Sequence, residues 1–112
     1  MKLSEVQQEF SLDVAKLINK ADELCIGLTF GHAWRSLADQ RRLVALGKSK
    51  TTKSKHLDRL AVDFNFFING KLTYKKKDIQ ELGDFWESLN DKNSWGGNWT
   101  SFLDTPHFQR SK

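Results

Sequence analysis

The run LAVDFNFFI at residues 60–68 constrains this chain more than any other segment. Its apolar and aromatic residues favour a strand, and Asn69-Gly70 closes it with a dipeptide suited to a two-residue type I′ hairpin. Lys71 to Tyr74 is the return strand. Side chains alternate along a strand, so Leu60, Val62, Phe64 and Phe66 share one face and Ala61, Asp63 and Asn65 the other. An unpaired buried carboxylate is strongly disfavoured. Asp63 therefore belongs on the more polar face, pointing into a cleft that His56, at the end of the preceding basic loop, can also reach.

The other elements follow from periodicity and punctuation. Val6, Phe10, Val14, Leu17, Ile18, Ala21 and Leu24 recur at steps of three and four, which predicts an amphipathic helix over roughly residues 5–24. Ser4 with Gln7 three positions on reads as its capping box. Cys25 to Phe30 is a short strand, and Gly31 to Arg35 a loop. Ser36 with Asp39 starts a second helix, with Leu37, Leu43, Val44 and Leu46 as its apolar side and Gly47 as its C-cap. Residues 48–55, KSKTTKSK, read as an exposed basic loop. A third helix is expected over about 77–90, burying Ile79, Leu82, Phe85, Trp86 and Leu89. Residues 91–101 read as a loop in which Gly96-Gly97 supplies turn geometry, and Pro106 to Gln109 as a final strand. This order predicts an α+β fold with a small, mainly antiparallel sheet and about three helices. A length of 112 residues fits one domain, 1–112.

Composition narrows the function. The one cysteine, Cys25, cannot form an internal disulfide and is expected to be a small buried hydrophobe. No apolar run approaches the roughly 20 residues of a membrane span, so no membrane insertion is expected. MKLSEVQQEF lacks the apolar core of a signal peptide, which points to a cytoplasmic location. The formal charge of +4 favours anionic partners. No helix-turn-helix spacing or RNA-type aromatic motif supports nucleic acid. Lys48, Lys50, Lys53 and Lys55 read as a solvated loop, whose functional version is attraction to an anionic cell wall. Nothing suggests more than a monomer.

The chain has three histidines, His32, His56 and His107. Taken singly, each reads as a structural or surface residue. Two imidazoles and a carboxylate, however, are the ligand set of a catalytic zinc site with an open fourth position. His56, Asp63 and His107 offer that set. Such a site needs a general base, and Asp104 is the candidate.

Ser54-Lys55-His56-Leu57-Asp58-Arg59-Leu60-Ala61-Val62-Asp63 resembles the S-x-H-x-x-G-x-A-x-D zinc signature of the M15 metallopeptidases. The stretch from Trp95-Gly96-Gly97-Asn98-Trp99 through Phe102 and Asp104 to Pro106-His107-Phe108 is similar to the W-G-G-x-W-x-x-F-x-D-x-P-H-F segment of the family's L-alanyl-D-glutamate branch. Gly31 to Ser36, with Gln40 and Leu43, resembles the G-x-R-S/T-x-x-x-Q-x-x-L stretch, with two extra residues before the arginine.

The resemblance implies a hedgehog/D-Ala-D-Ala peptidase-like fold and one Zn2+ per chain on His56, Asp63 and His107. It makes Asp104 the catalytic acid/base. Arg35 becomes the arginine that steadies an oxyanion or a substrate carboxylate, with Ser54 and Trp99 also at the substrate. The implied activity is hydrolysis of the peptidoglycan stem peptide at the L-alanyl-D-glutamate bond, as in phage endolysins. Such an enzyme would accumulate in a host cytoplasm and reach the wall after membrane permeabilisation. The alternatives are a D-alanyl-D-alanine carboxypeptidase or a non-catalytic wall-binding module on the same fold. Two positions depart from the pattern. Arg59 replaces the motif glycine, at a cost of order 1 kcal/mol if that residue has positive φ. Asn98 stands where the branch commonly has aspartate.

Overall fold

The central strand, β2 (Ala61–Ile68), is the LAVDFNFFI run almost to the residue. Asn69 and Gly70 take φ of 53° and 77°, the left-handed pair that a type I′ turn requires, and return the chain into β3 (Lys71–Thr73). The computed structural model describes residues 1–51 and 53–112. Thr52, inside the basic stretch expected to be a loop, lies outside the described residues.

The remaining elements are α1 (Leu3–Glu23), β1 (Gly27–Phe30), α2 (Leu37–Ala45), α3 (Lys76–Leu89), β4 (Asn93–Trp95), a 3-10 turn at Gly96–Asn98, and β5 (His107–Arg110). The strand order is β1-β2-β5-β4, with β3 also paired to β2, and every pairing is antiparallel. The α+β class is as expected. β2 divides its length between partners: residues 61–63 pair with β5, and residues 64–68 with β1 and β3.

The apolar face of β2 builds the core. Val62, Phe64 and Phe66 are buried against Val6, Phe10 and Leu17 of α1 and Ile79, Leu82 and Trp86 of α3. Phe108 of β5 sits at its centre, with the rings of Trp86, Phe64, Phe66 and Trp95 at 6.0–6.4 Å. Fully buried aromatics of this size supply most of the burial a small domain can muster. The indole N–H of Trp86 donates to Ser94 O and Gln109 O, tying α3 across β4 and β5.

Several expectations are corrected. Ser4 lies inside α1 rather than at its cap; the helix starts after Lys2, whose backbone N–H donates to Glu5 Oε1 at 3.1 Å. Cys25 is exposed, because it takes φ of 60° at the exit from α1 and turns outward. α2 buries less of its apolar side than expected: Leu37 and, at the C-cap, Leu46 are exposed, Leu43 and Val44 are half-buried, and its buried residue is Gln40. The stretch 91–101 holds β4 as well as turns. Three residues pairing with β5 are too few for periodicity to reveal. Gly96 and Gly97 do not have positive φ. They are glycines because a Cβ at Gly96 would strike Asp104 O, and one at Gly97 the Trp95 ring. Gly83 in α3 lies against the other part of that ring for the same reason. No helix among the described residues is long and apolar enough to cross a membrane.

Candidate metal centre

The polar face of β2 carries the site. Asp63 lies directly opposite His107 in the β2–β5 ladder. On the other edge of β2, Gly31 N–H donates to Asp63 O and Asp63 N–H donates to His32 O, both at 2.8 Å. Asp63 is thus held by backbone on both sides. A Cβ at Gly31 would sit 3.2 Å from the Asp63 Cβ, which is why this approach uses glycine.

His56 arrives from a compact turn. Leu57, Asp58 and Arg59 N–H donate to Ser54, Lys55 and His56 carbonyls, and Leu60 N–H reaches back to Lys55 O. A helical turn closed this way needs a left-handed residue at its end. Arg59 supplies it, with φ of 56°. The motif glycine is therefore a true positive-φ position. Arginine there bears the strain, and its guanidinium lies over the Trp34 ring at 5.0 Å, a cation–π contact that offsets part of it. Ser54 Oγ accepts from His56 N–H at 3.2 Å and so fixes the turn that carries the imidazole.

The ligand atoms converge. His56 Nε2 and His107 Nδ1 lie 3.2 and 3.1 Å from Asp63 Oδ1. The two rings are 5.0 Å apart at 75°. One ligand atom from each of His56, Asp63 and His107 falls within 4.8 Å of the others. Each imidazole is oriented from behind: His56 Nδ1–H donates to Ala33 O at 3.0 Å, and His107 Nε2–H to Gln109 Oε1 at 2.8 Å. With those protons placed, the facing nitrogens present lone pairs to a carboxylate oxygen. His56 is 1% exposed and its Nε2 has no hydrogen-bond partner. A buried lone pair aimed at another lone pair calls for a cation between them. Ligands about 2.0–2.1 Å from a tetrahedral zinc lie roughly 3.3 Å apart, close to the spacings seen here. The residues fit the ion.

Burial pushes the Asp63 carboxyl up, but its contacts with His107 and His56 outweigh this and hold it below the usual carboxylate range. Asp104 sits in the turn before β5, its Oδ2 4.0 Å from His107 Nδ1. Burial raises its pKa despite the neighbouring His107, making it a stronger base than an exposed aspartate. Its backbone N–H donates to Gly96 O, so the Trp-Gly-Gly segment sets its position.

Arg35 is buried and firmly held. Its NH1 donates to Gln40 Oε1 at 2.7 Å, its Nε and NH2 reach His32 Nδ1 at 3.2 and 2.7 Å, and NH2 lies 3.5 Å from Asp63 Oδ2. Trp99 packs on the His107 ring at 5.2 Å. Arg35, Ser54, Trp99 and Asp104 all line one cleft of about 370 Å³ with the His-Asp-His group. Every sequence-derived site residue therefore comes to the same place.

Sequence reasoning missed three residues. His32, read as structural, lines the cleft and accepts from Arg35; burial and the Arg35 charge lower its pKa, which suits an acceptor. Gln40 and Gln109 hold Arg35 and His107. The position of Gln40, three residues before Leu43 in the third motif, was the available signal; for Gln109 the i,i+2 alternation with His107 along β5 was the signal. Asn98 also has a reason to be an amide. Its Nδ2 donates to Glu87 Oε1 at 2.9 Å, where an aspartate would face a second carboxylate.

A family model described as D-alanyl-D-alanine carboxypeptidase, from the M15 peptidases, matches residues 47–110, which include His56, Asp63, Asp104 and His107 but not Arg35. Among solved structures, the L-Ala D-Glu endopeptidase ChiX of Serratia marcescens is similar, with 27% identity, a TM-score of 0.70, and coverage of 88% of this chain and 78% of that one. No curated protein matches. The family match spans more than half of the chain, so the chain belongs to the M15 D-alanyl-D-alanine carboxypeptidase family.

Proposed function

We propose that this chain is a zinc-dependent peptidoglycan peptidase that hydrolyses the L-alanyl-D-glutamate bond of the stem peptide. The observation that carries the reading is the orphaned, buried Nε2 of His56 facing Asp63 and His107. The choice of bond is supported by the likeness to an L-Ala D-Glu endopeptidase and by the Trp95-to-Phe108 segment. The carboxypeptidase alternative rests on the description of the family model.

His56, Asp63 and His107 would hold the zinc. The chemistry zinc supplies at such a site is a lowered pKa for water and polarisation of the scissile carbonyl. Asp104 takes the proton of the attacking water and passes it to the leaving amine. Arg35, fixed by His32 and Gln40, places a permanent positive charge beside the cleft, where negative charge develops on the carbonyl oxygen. Trp99 forms an apolar wall on the His107 side. We further propose action as a monomer, from the cytoplasm of a host cell onto its wall once the membrane is permeabilised.

The test is digestion of purified peptidoglycan followed by mass spectrometry of the fragments. Fragments carrying a new D-glutamyl amino terminus, lost with a chelator and restored by zinc, are expected. Asp104→Asn should retain zinc and lower kcat by about 10²–10⁴-fold. Wild-type activity with the chelator present, or in Asp104→Asn, overturns the reading, and release of D-alanine alone moves it to the carboxypeptidase.

A further inference from the structure

One wall of the cleft is strongly basic. Lys48, Lys50, Lys53 and Lys55 all line it, together with Arg35. The carboxylates there are Asp63, already engaged by His56, His107 and Arg35, and Asp104. Among the described residues, none of the four lysines pairs with a carboxylate. This wall is also built rather than loose. Gln40 Nε2 donates to Ser49 Oγ and to Thr51 O. Lys50 Nζ reaches Ser101 O at 3.5 Å and lies over the Phe102 ring at 5.2 Å, clasping the far side of the cleft. Like charges gathered around one cavity repel, and a low-dielectric wall strengthens that repulsion. An anion entering the cleft relieves it.

We infer that this wall recognises substrate carboxylates, so that the preferred substrate is a peptide with a free carboxylate on the residue that follows the scissile bond. The inference rests on the proposed L-alanyl-D-glutamate cleavage. A D-glutamate at that position has two carboxyl groups; a chain that continues through the side-chain carboxyl leaves the α-carboxylate free, on the carbon that bears the scissile nitrogen. Lys53 and Lys55 are the cations to meet it, because Lys50 is engaged across the cleft and Lys48 lies next to the end of α2. Conversion of that carboxylate to a carboxamide removes the charge while keeping the shape.

The experiment uses two synthetic peptides with an L-Ala–D-Glu bond, identical except for a free carboxylate or a carboxamide on the glutamate. Zinc-loaded wild type, Lys53→Gln/Lys55→Gln and Lys76→Gln are compared, Lys76 being an exposed lysine of α3 outside the cleft. For wild type, the free acid should have a kcat/KM about 10-fold higher, expressed mainly in KM. The double variant should bring the ratio below about 2-fold, Lys76→Gln should preserve it, and added salt should narrow it. Equal rates on the two peptides overturn the inference while leaving the proposed function intact. So does a ratio that the double variant preserves, or one that Lys76→Gln reduces equally, which would mean attraction by net charge alone. Failure to cleave either peptide strikes the proposed function instead. Calorimetric titration of the glutamate-headed product peptides into the zinc-loaded chain then decides the inference: tighter binding of the acid supports it, and equal binding overturns it.

Discussion

The β2–β5 ladder and the basic strap that runs from Lys48 to Thr51 and from Lys53 to Lys55 form two sides of the same cleft by opposite means. In the ladder, Asp63 and His107 are cross-strand partners, and the alternate residues Val62, Phe64 and Phe108 are buried in the core. Moving either ligand would mean breaking strand pairing and repacking aromatics. The strap has no strand or helix of its own. It is tied down chiefly by one buried amide, Gln40, which is 0% exposed and also holds Arg35. The contrast teaches that the placement of Asp63 and His107 resides in backbone pairing, whereas the basic wall hangs on a few side-chain hydrogen bonds.

The sharpest way to break this division is to cut one support on each side. Gln109→Leu removes the acceptor behind His107 but leaves the ladder paired. Zinc affinity should fall by about 10–100-fold in a chelator competition, with little change in thermal stability of the metal-free protein. Gln40→Leu should act the other way. It leaves the NH1 group of Arg35 short of its acceptor and frees the strap, so kcat/KM should fall by about 10-fold, proteolysis within 48–55 should accelerate, and zinc affinity should stay within about 3-fold of wild type. Equal losses of zinc in both variants would show that the two regions are one unit.

Arg59→Gly probes the junction between them and has the smallest expected effect. Glycine relieves the left-handed strain, about 1 kcal/mol, but forfeits the contact with Trp34 and loosens the unfolded chain. The net change in unfolding free energy should lie within about 1 kcal/mol by denaturant titration. A larger loss would make the Arg59–Trp34 contact a main support of the His56 turn.

Much of this was readable in advance. The β2 strand, its Asn69-Gly70 turn, the amphipathic stripes of α1 and α3 and the Ser36 cap of α2 all depend on neighbours a few residues away. The motif spacing around His56, Asp63 and His107 was equally visible. β4 was not, because three residues bury only what β5 and α3 present to them. The buried face of α2 misled for a related reason. Periodicity assumes an apolar core beneath a helix, and beneath α2 lies Arg35, which selects the amide of Gln40 over the leucines beside it.

By itself, the sequence determined where the chain is regular and which side chains have metal and acid–base chemistry, since both are properties of local spacing and residue type. Only the tertiary structure decided that His56 and His107 turn their lone pairs onto one oxygen of Asp63, that glycines 83, 96 and 97 exist to make room, and that four lysines share a cavity with the ligands. Those facts depend on atoms brought together from distant parts of the chain, and pairing across space leaves no periodic trace along it.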